Sequence, residues 1–302
     1  MAKKINASSG RMPTRIAGLA FGIAIGVAGG SHFAHRDELN QVQADLASAS
    51  DQLQLEKATN SSNESYITAS GPVIVANKLF NVPVILMVTA DANQDDVAAV
   101  QGLLGNAGIV NAGQINLDPS FFNQDSADQL NNVVTQTVPA GVQISTTKLD
   151  PGTHAGEVLG SALLPAASDA DRGLVLNALS ASGFIHTDLA AVHATPTIVL
   201  ITGDGDQTGY PADALANFAQ GMEDKGSQVV LAGRINNAQN GGAIDQIRHL
   251  ADAHKPSTVD NLSTPVGRIG TVLAVAEQVK GARGDYGLAS SASAVCPPFV
   301  LS

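Results

Sequence analysis

The sequence predicts an α/β protein: an N-terminal transmembrane helix and short coiled coil, then an acidic parallel-sheet βαβ domain with an internal duplication. Three observations predict it. An uncharged apolar run near the N-terminus follows a cluster of bases. Beyond residue 72, apolar runs of strand length alternate with amphipathic segments of helical period. One stretch of twelve residues occurs twice in related form.

Residues 1–15 carry Lys3, Lys4, Arg11 and Arg15 and read as a cytoplasmic basic N-terminus. The span itself is 16–34, an Ala/Gly/Ile/Val-rich run about 28 Å long as a helix, enough to cross a bilayer. It ends in Ser31-His32-Phe33-Ala34 without an A-x-A-like cleavage site, so it reads as an uncleaved anchor. Because the bases precede it, the positive-inside rule places the N-terminus in the cytoplasm and the bulk of the chain outside. Gly18, Gly22, Gly26 and Gly30 form a bare stripe that lets two such helices approach closely. Over residues 35–58, Leu39, Val42, Leu46, Ala49 and Leu53 follow 3-4 spacing and extend the pairing as a short coiled coil, which predicts a homo-oligomer. Residues 59–71, polar and rich in Ser and Asn, read as a linker or helix break.

The α/β domain is placed at 72–288, ahead of a flexible tail at 289–302. Its strands are read at Val84 to Val88, Ile109 to Leu117, Thr197 to Ile201, Gln228 to Leu231 and Thr258-Val259. Helices are read at Asp95 to Leu104, Ala212 to Glu223, Ala243 to Ala251 and Val266 to Val279. The stretch 83–94 and the stretch 196–207 agree at five of twelve positions, including a Thr, an Asp and a Gln. Both continue to a Gln-Gly in the helix and an Ala-Gly closing the next strand. Shared strand-turn-helix grammar explains the apolar matches, and duplication explains the polar ones.

Charge and composition exclude several classes. The 302 residues are 44% hydrophobic and 4% aromatic. Beyond Arg36 there are 11 bases against 27 acids, a surplus that repels phosphate backbones and argues against nucleic-acid binding. Cys296 is the one cysteine, which rules out an intramolecular disulfide, zinc-finger spacing and a CxxC motif. No GxSxG elbow, HExxH or paired-carboxylate pattern occurs, so no enzyme activity and no resident cofactor are read. Two sets of candidate site residues remain. Asp91, Asp204 and Asp206 follow strand ends, where open α/β sheets bind ligands; turn and cap duty is the local alternative. His32 and His35 share a helix face at the membrane boundary, where dimerisation would bring four imidazoles together as a metal site.

The chain also resembles a known family. The residues that carry the resemblance are Val82-Pro-Val-Ile-Leu-Met-Val-Thr89, Leu103-Leu-Gly-Asn-Ala-Gly-Ile-Val-Asn-Ala-Gly113, and above all the C-terminal set. That set comprises Ser257-Thr-Val-Asp-Asn261, Gly267-Arg268, the Leu273-Ala274 helix with Glu277, and Asp285-Tyr286-Gly287. Together with the N-terminal helix and heptads they resemble the actinobacterial copper transport outer-membrane protein family, MctB-like. The resemblance implies a cell-envelope protein of copper homeostasis in the outer membrane, proposed to act as a channel, with copper as the transported ion. The residues themselves leave two other functions open: an envelope α/β domain that binds a nucleotide or glycan precursor, and a structural scaffold. A transmembrane barrel is not read, since alternating ten-residue segments and aromatic girdles are missing.

Overall fold

A computed structural model describes residues 35–204, 208–251 and 254–298. The first element, α1 (His35–Val75), is one continuous helix. It therefore runs straight through 59–71, where a linker or break was expected. Within it the hydroxyls of Thr59, Thr68 and Ser70 donate to the carbonyls four residues back, of Leu55, Glu64 and Tyr66, at 2.7–2.9 Å. Bonded in this way they do not break the helix, although they add no stability to it. By compactness the chain divides at Ser62/Asn63, so the α/β body takes in the last turns of α1 and begins before residue 72. There Gly71 lies against Leu103 and Ile269, and Val75 is buried. No helix among the described residues is long and apolar enough to cross a membrane. The run 16–34, with its glycine stripe and His32, lies outside them.

The body is a seven-stranded sheet in the order β3-β2-β1-β4-β5-β6-β7. The strands are β1 (Pro83–Val88), β2 (Val110–Leu117), β3 (Ile185–His186), β4 (Thr197–Ile201), β5 (Gln228–Ala232), β6 (Ser257–Val259) and β7 (Asp285–Tyr286). All pairings are parallel except that of β2 with β3. Alternation along each strand feeds two cores. Ile85, Met87, Ile198 and Leu200 face one side, and Val84, Leu86, Val199 and Ile201 face the other. The first core is covered by α3 (Ala127–Gln136), α4 (Pro151–Leu163), α5 (Asp169–Ala181), α6 (Tyr210–Asp224) and α7 (Ala243–Arg248). The second is covered by α2 (Gln94–Asn106) and α8 (Pro265–Val279).

Chain order explains this division. The unit β1-α2-β2 leaves the centre of the sheet in one direction and β4-α6-β5 leaves it in the other. Right-handed crossovers running in opposite directions put their helices on opposite faces. The strands β1 and β4 are neighbours, and Ile85, Leu86, Met87 and Val88 pair with Ile198, Val199, Leu200 and Ile201. These are the positions matched in the sequence repeat, so Asp91 and Asp204 leave adjacent strands at equivalent points. The repeat is weaker beyond the loops. Ala112-Gly113 lies inside β2, at an irregularity opposite Val84 and Leu86, whereas Ala232 ends β5 and Gly233 follows it. A side chain on Gly102 would enter open space, but one on Gly221 would strike Thr153 O at 2.6 Å.

The segment between β2 and β4 supplies α3, α4 and α5, which composition did not announce. In α4, Gly152, Gly156 and Gly160 recur every fourth residue against α6. A Cβ on Gly156 would stand 2.2 Å from Phe218 O. The bare stripe lets two backbones touch, so α4 is buried along almost its whole length. At the other end of the chain, the expected flexible tail is pinned as far as residue 298. Gly287 N donates to Ala294 O and Ser293 N to Asp285 O, at 2.9 and 2.7 Å.

Candidate functional site

The strand order reverses between β1 and β4, and the carboxyl ends of those strands open a crevice there. That is where doubly wound sheets bind ligands, because the two helices diverge to opposite faces. The crevice encloses about 220 Å³. Its floor is Thr89 and Asp91 after β1 and Thr202 after β4. Its walls are Asp118, Pro119 and Phe122 after β2, Pro211 and Leu215 from the start of α6, and Asn237 from the loop after β5. Asn93 shapes the first loop by capping α2, its Oδ1 accepting from the amides of Asp95 and Asp96 at 2.9 and 3.3 Å. Thr89 Oγ1 donates to Asp91 Oδ1, which fixes that carboxylate over the strand end.

Charge is divided unevenly around this opening. Asp96, buried in the first turn of α2, receives Arg234 Nε at 2.9 Å and Arg268 Nη2 at 2.7 Å. Arg234 Nη1 also reaches Asp204 at 2.9 Å. Two acids and two arginines thus neutralise one another on the β4-β5 side, and the hydrogen bond to Asp96 leads the upward shift of the Arg234 pKa. The crevice itself has no such balance. Neither Asp91 nor Asp118 meets a lysine or arginine among the described residues. Ser120, through its amide and then its hydroxyl, holds the Asp118 carboxyl below the usual range, with a smaller contribution from His186 at 3.2 Å. The opening therefore presents two carboxylates with no lysine or arginine against them among the described residues.

The structure separates the candidates read from sequence. Asp91 lines the crevice; Asp204 is engaged by Arg234 instead; Asp206 lies outside the described residues. Gly203 does not cradle a ligand, because its bare Cα is used by the neighbouring loop. A Cβ there would meet Asp91 O at 2.1 Å. Asp118, Asn237 and Phe122 were not found from sequence, since only the fold brings them to this opening. His32 and Gly18, Gly22, Gly26 and Gly30 lie outside the described residues. His35 and Leu39 fall within α1. Along α1, Val42 is half-buried, and Leu46 and Leu53 stand 55% and 52% exposed. Among the described residues no group of three His, Cys, Asp or Glu side chains is placed to hold a metal ion.

The C-terminal residues that carry the family resemblance form a buried polar network beside β6. Asp260 accepts from Arg248 Nη1 at 2.7 Å and from the amides of Leu288 and Ala289. Arg248 also donates to Thr258 Oγ1 and Tyr286 O. Tyr286 donates its hydroxyl to Glu277, and burial followed by that bond pushes its pKa well above 10.0. Gly287, at φ +139°, lies so close to Asp260 that a Cβ would overlap the carboxylate. Arg268 of the same set holds Asp96. These residues thus tie the last strand, its tail and the start of α2 to the sheet.

Residues 14–297 match the family model described as "Copper transport outer membrane protein, MctB". Proteins named "Copper transporter MctB" from Mycobacterium tuberculosis and Mycobacterium bovis are each 32% identical to this chain over 300 residues, covering 93% of it and 96% of the relative. A protein of the same name from Mycobacterium leprae is 34% identical over 244 residues, covering 74% and 76%.

Proposed function

The chain belongs to the MctB family of copper transport outer membrane proteins, and from that membership we propose that it is a membrane-anchored cell-envelope protein of copper homeostasis. The observation that carries the reading is the extent of the match. It begins at residue 14, ahead of the apolar run 16–34, and continues to residue 297. On this reading 16–34 crosses the membrane once, with residues 1–15 in the cytoplasm and the α/β body outside.

One helix per subunit lines a pore only when several subunits associate, so a part in a copper efflux or transport channel requires an oligomer. The glycine stripe at 18, 22, 26 and 30 and the heptad positions Leu39, Val42, Leu46 and Leu53 supply the association surface. Exposure of Leu46 and Leu53 supports this, because an apolar face on an extended helix gains by pairing. Soft and imidazole ligands suit copper, and the body gathers no such group among its described residues. If copper binds the chain directly, the proposed site is the pair His32 and His35, shared between subunits. Outer-membrane residence is proposed on the family description alone. The scaffold reading requires no copper phenotype; the strand-end crevice favours a ligand-binding role for the body, developed below.

Growth on graded copper tests the proposal. A strain lacking this chain should stop growing at lower copper than its parent, and the full chain should restore tolerance. Equal tolerance in the two strains would reject a role in copper homeostasis.

A further inference from the structure

We propose that the crevice between β1 and β4 binds a small, hydroxyl-rich, phosphate-free molecule of about the size of one sugar ring. This inference concerns the body alone and stands apart from the copper reading.

Two buried polar side chains point to a ligand. Thr202 is only 4% exposed, and its hydroxyl has no hydrogen-bond partner among the described residues. Its methyl is turned toward Gly233, where a Cβ would come within 2.8 Å of Cγ2. The hydroxyl is thereby left to the crevice that Thr202 lines. Asn237, 3% exposed, donates Nδ2 to Gly203 O at 2.7 Å, which leaves its carbonyl oxygen as the group available to a ligand. Both oxygens remain accessible to solvent although their residues are buried, so two polar groups free to bond a ligand converge on one cavity.

The chemistry around them selects the partner. Asp91 and Asp118 are acceptors only, Asn237 offers an acceptor, and Thr202 can accept or donate. The first turn of α6 brings the positive end of its dipole, worth about half a charge, against two carboxylates that meet no lysine or arginine among the described residues, with His186 3.2 Å from Asp118. The carboxylates win, so a phosphate is repelled and a donor-rich ligand is favoured. Among the described residues, Lys and Arg, which hold phosphate in ordinary nucleotide sites, are absent from the lining. A metal ion is disfavoured because no third ionisable ligand joins the two carboxylates among the described residues. Phe122, Pro119 and Leu215 give one apolar wall, on which the C–H face of a sugar ring lies well. The enclosed volume of about 220 Å³ falls below the roughly 300–1,000 Å³ of drug-sized pockets and admits one ring.

Saturation-transfer NMR on the full chain in detergent micelles tests this with D-glucose, D-mannose, D-galactose, D-arabinose and myo-inositol, alongside AMP and 1,4-diaminobutane. At least one of the five polyols should receive saturation from the protein, and AMP should receive none. Thr202→Val keeps the shape and should leave the thermal midpoint unchanged, since the lost hydroxyl had no partner. It should weaken the polyol about tenfold, the loss expected of one hydrogen bond. Asp91→Asn, which keeps the shape and removes the charge, should weaken the polyol several-fold without admitting AMP. The proposal is overturned if none of the polyols binds, if AMP or the diamine binds in preference, or if Thr202→Val binds as well as the parent.

Discussion

Replacing Asp260 by Ala should be the most damaging single change in the body. Asp260 is fully buried and pairs with Arg248, whose side chain is 2% exposed, at 2.7 Å. Removing the carboxylate leaves a guanidinium charge in the interior and strands the amides of Leu288 and Ala289. Breaking a buried pair from one side costs about 3–5 kcal/mol, and total stabilities are about 5–15 kcal/mol. Arg248 keeps Thr258 and Tyr286 as acceptors, so the expected loss lies within that range rather than above it. Urea unfolding followed by far-ultraviolet circular dichroism reads it, the chain having no tryptophan. At a slope of about 3 kcal/mol per molar, the midpoint should fall by about 1–1.7 M. Arg248→Met combined with Asp260→Leu removes both charges and should recover most of that loss. A fall below about 0.3 M for Asp260→Ala, or no recovery in the double variant, would refute the assignment of this pair as the anchor of the C-terminal strand.

Three further outcomes follow from the same reasoning. Gly156→Ala places a Cβ against Phe218 O and should lower stability by about 1–3 kcal/mol, whereas Gly173→Ala, with only Asn177 nearby at 3.9 Å, should raise it by up to about 1 kcal/mol; thermal midpoints of opposite shift check both. Tyr286, whose pKa is raised above its ordinary 10.0, should stay protonated when pH passes 10, so its stabilising contribution is fully present below that value and lost as pH climbs through the raised pKa. An ultraviolet phenolate titration in which Tyr286→Phe does not remove the last-titrating tyrosine would contradict this. Leu46→Asp with Leu53→Asp should reduce crosslinked oligomer in detergent, and unchanged crosslinking would remove the heptads as the contact surface.

The parts of the fold legible in the sequence were those whose period is simple. Val84 to Val88 and Thr197 to Ile201 read as buried strands because they are short, continuous, apolar and entered by proline. Residues 118–195 were opaque because α4 carries Gly152, Gly156 and Gly160, which propensity counts against a helix. Their four-residue spacing was the available signal, the same one read at the N-terminus. The linker expected at 59–71 failed because Ser and Thr that bond back to their own helix look identical, in composition, to those that break one. Asp91 was legible from its place after a strand. Asp118 and Asn237 were not, since their nearness to Asp91 depends on strand order. The pairing of Asp204 with Arg234 was hidden for the same reason, the two lying 30 residues apart.

A role in copper homeostasis exerted from the envelope sets the amount of cell-associated copper. Copper content should be measured at rising external copper in a strain lacking the chain, in the same strain carrying the full chain, and in one carrying the chain without residues 16–34. The deletion strain should accumulate more copper than its parent, the full chain should restore the parental level, and the shortened chain should not. Equal copper content in the parent and deletion strains would contradict that role.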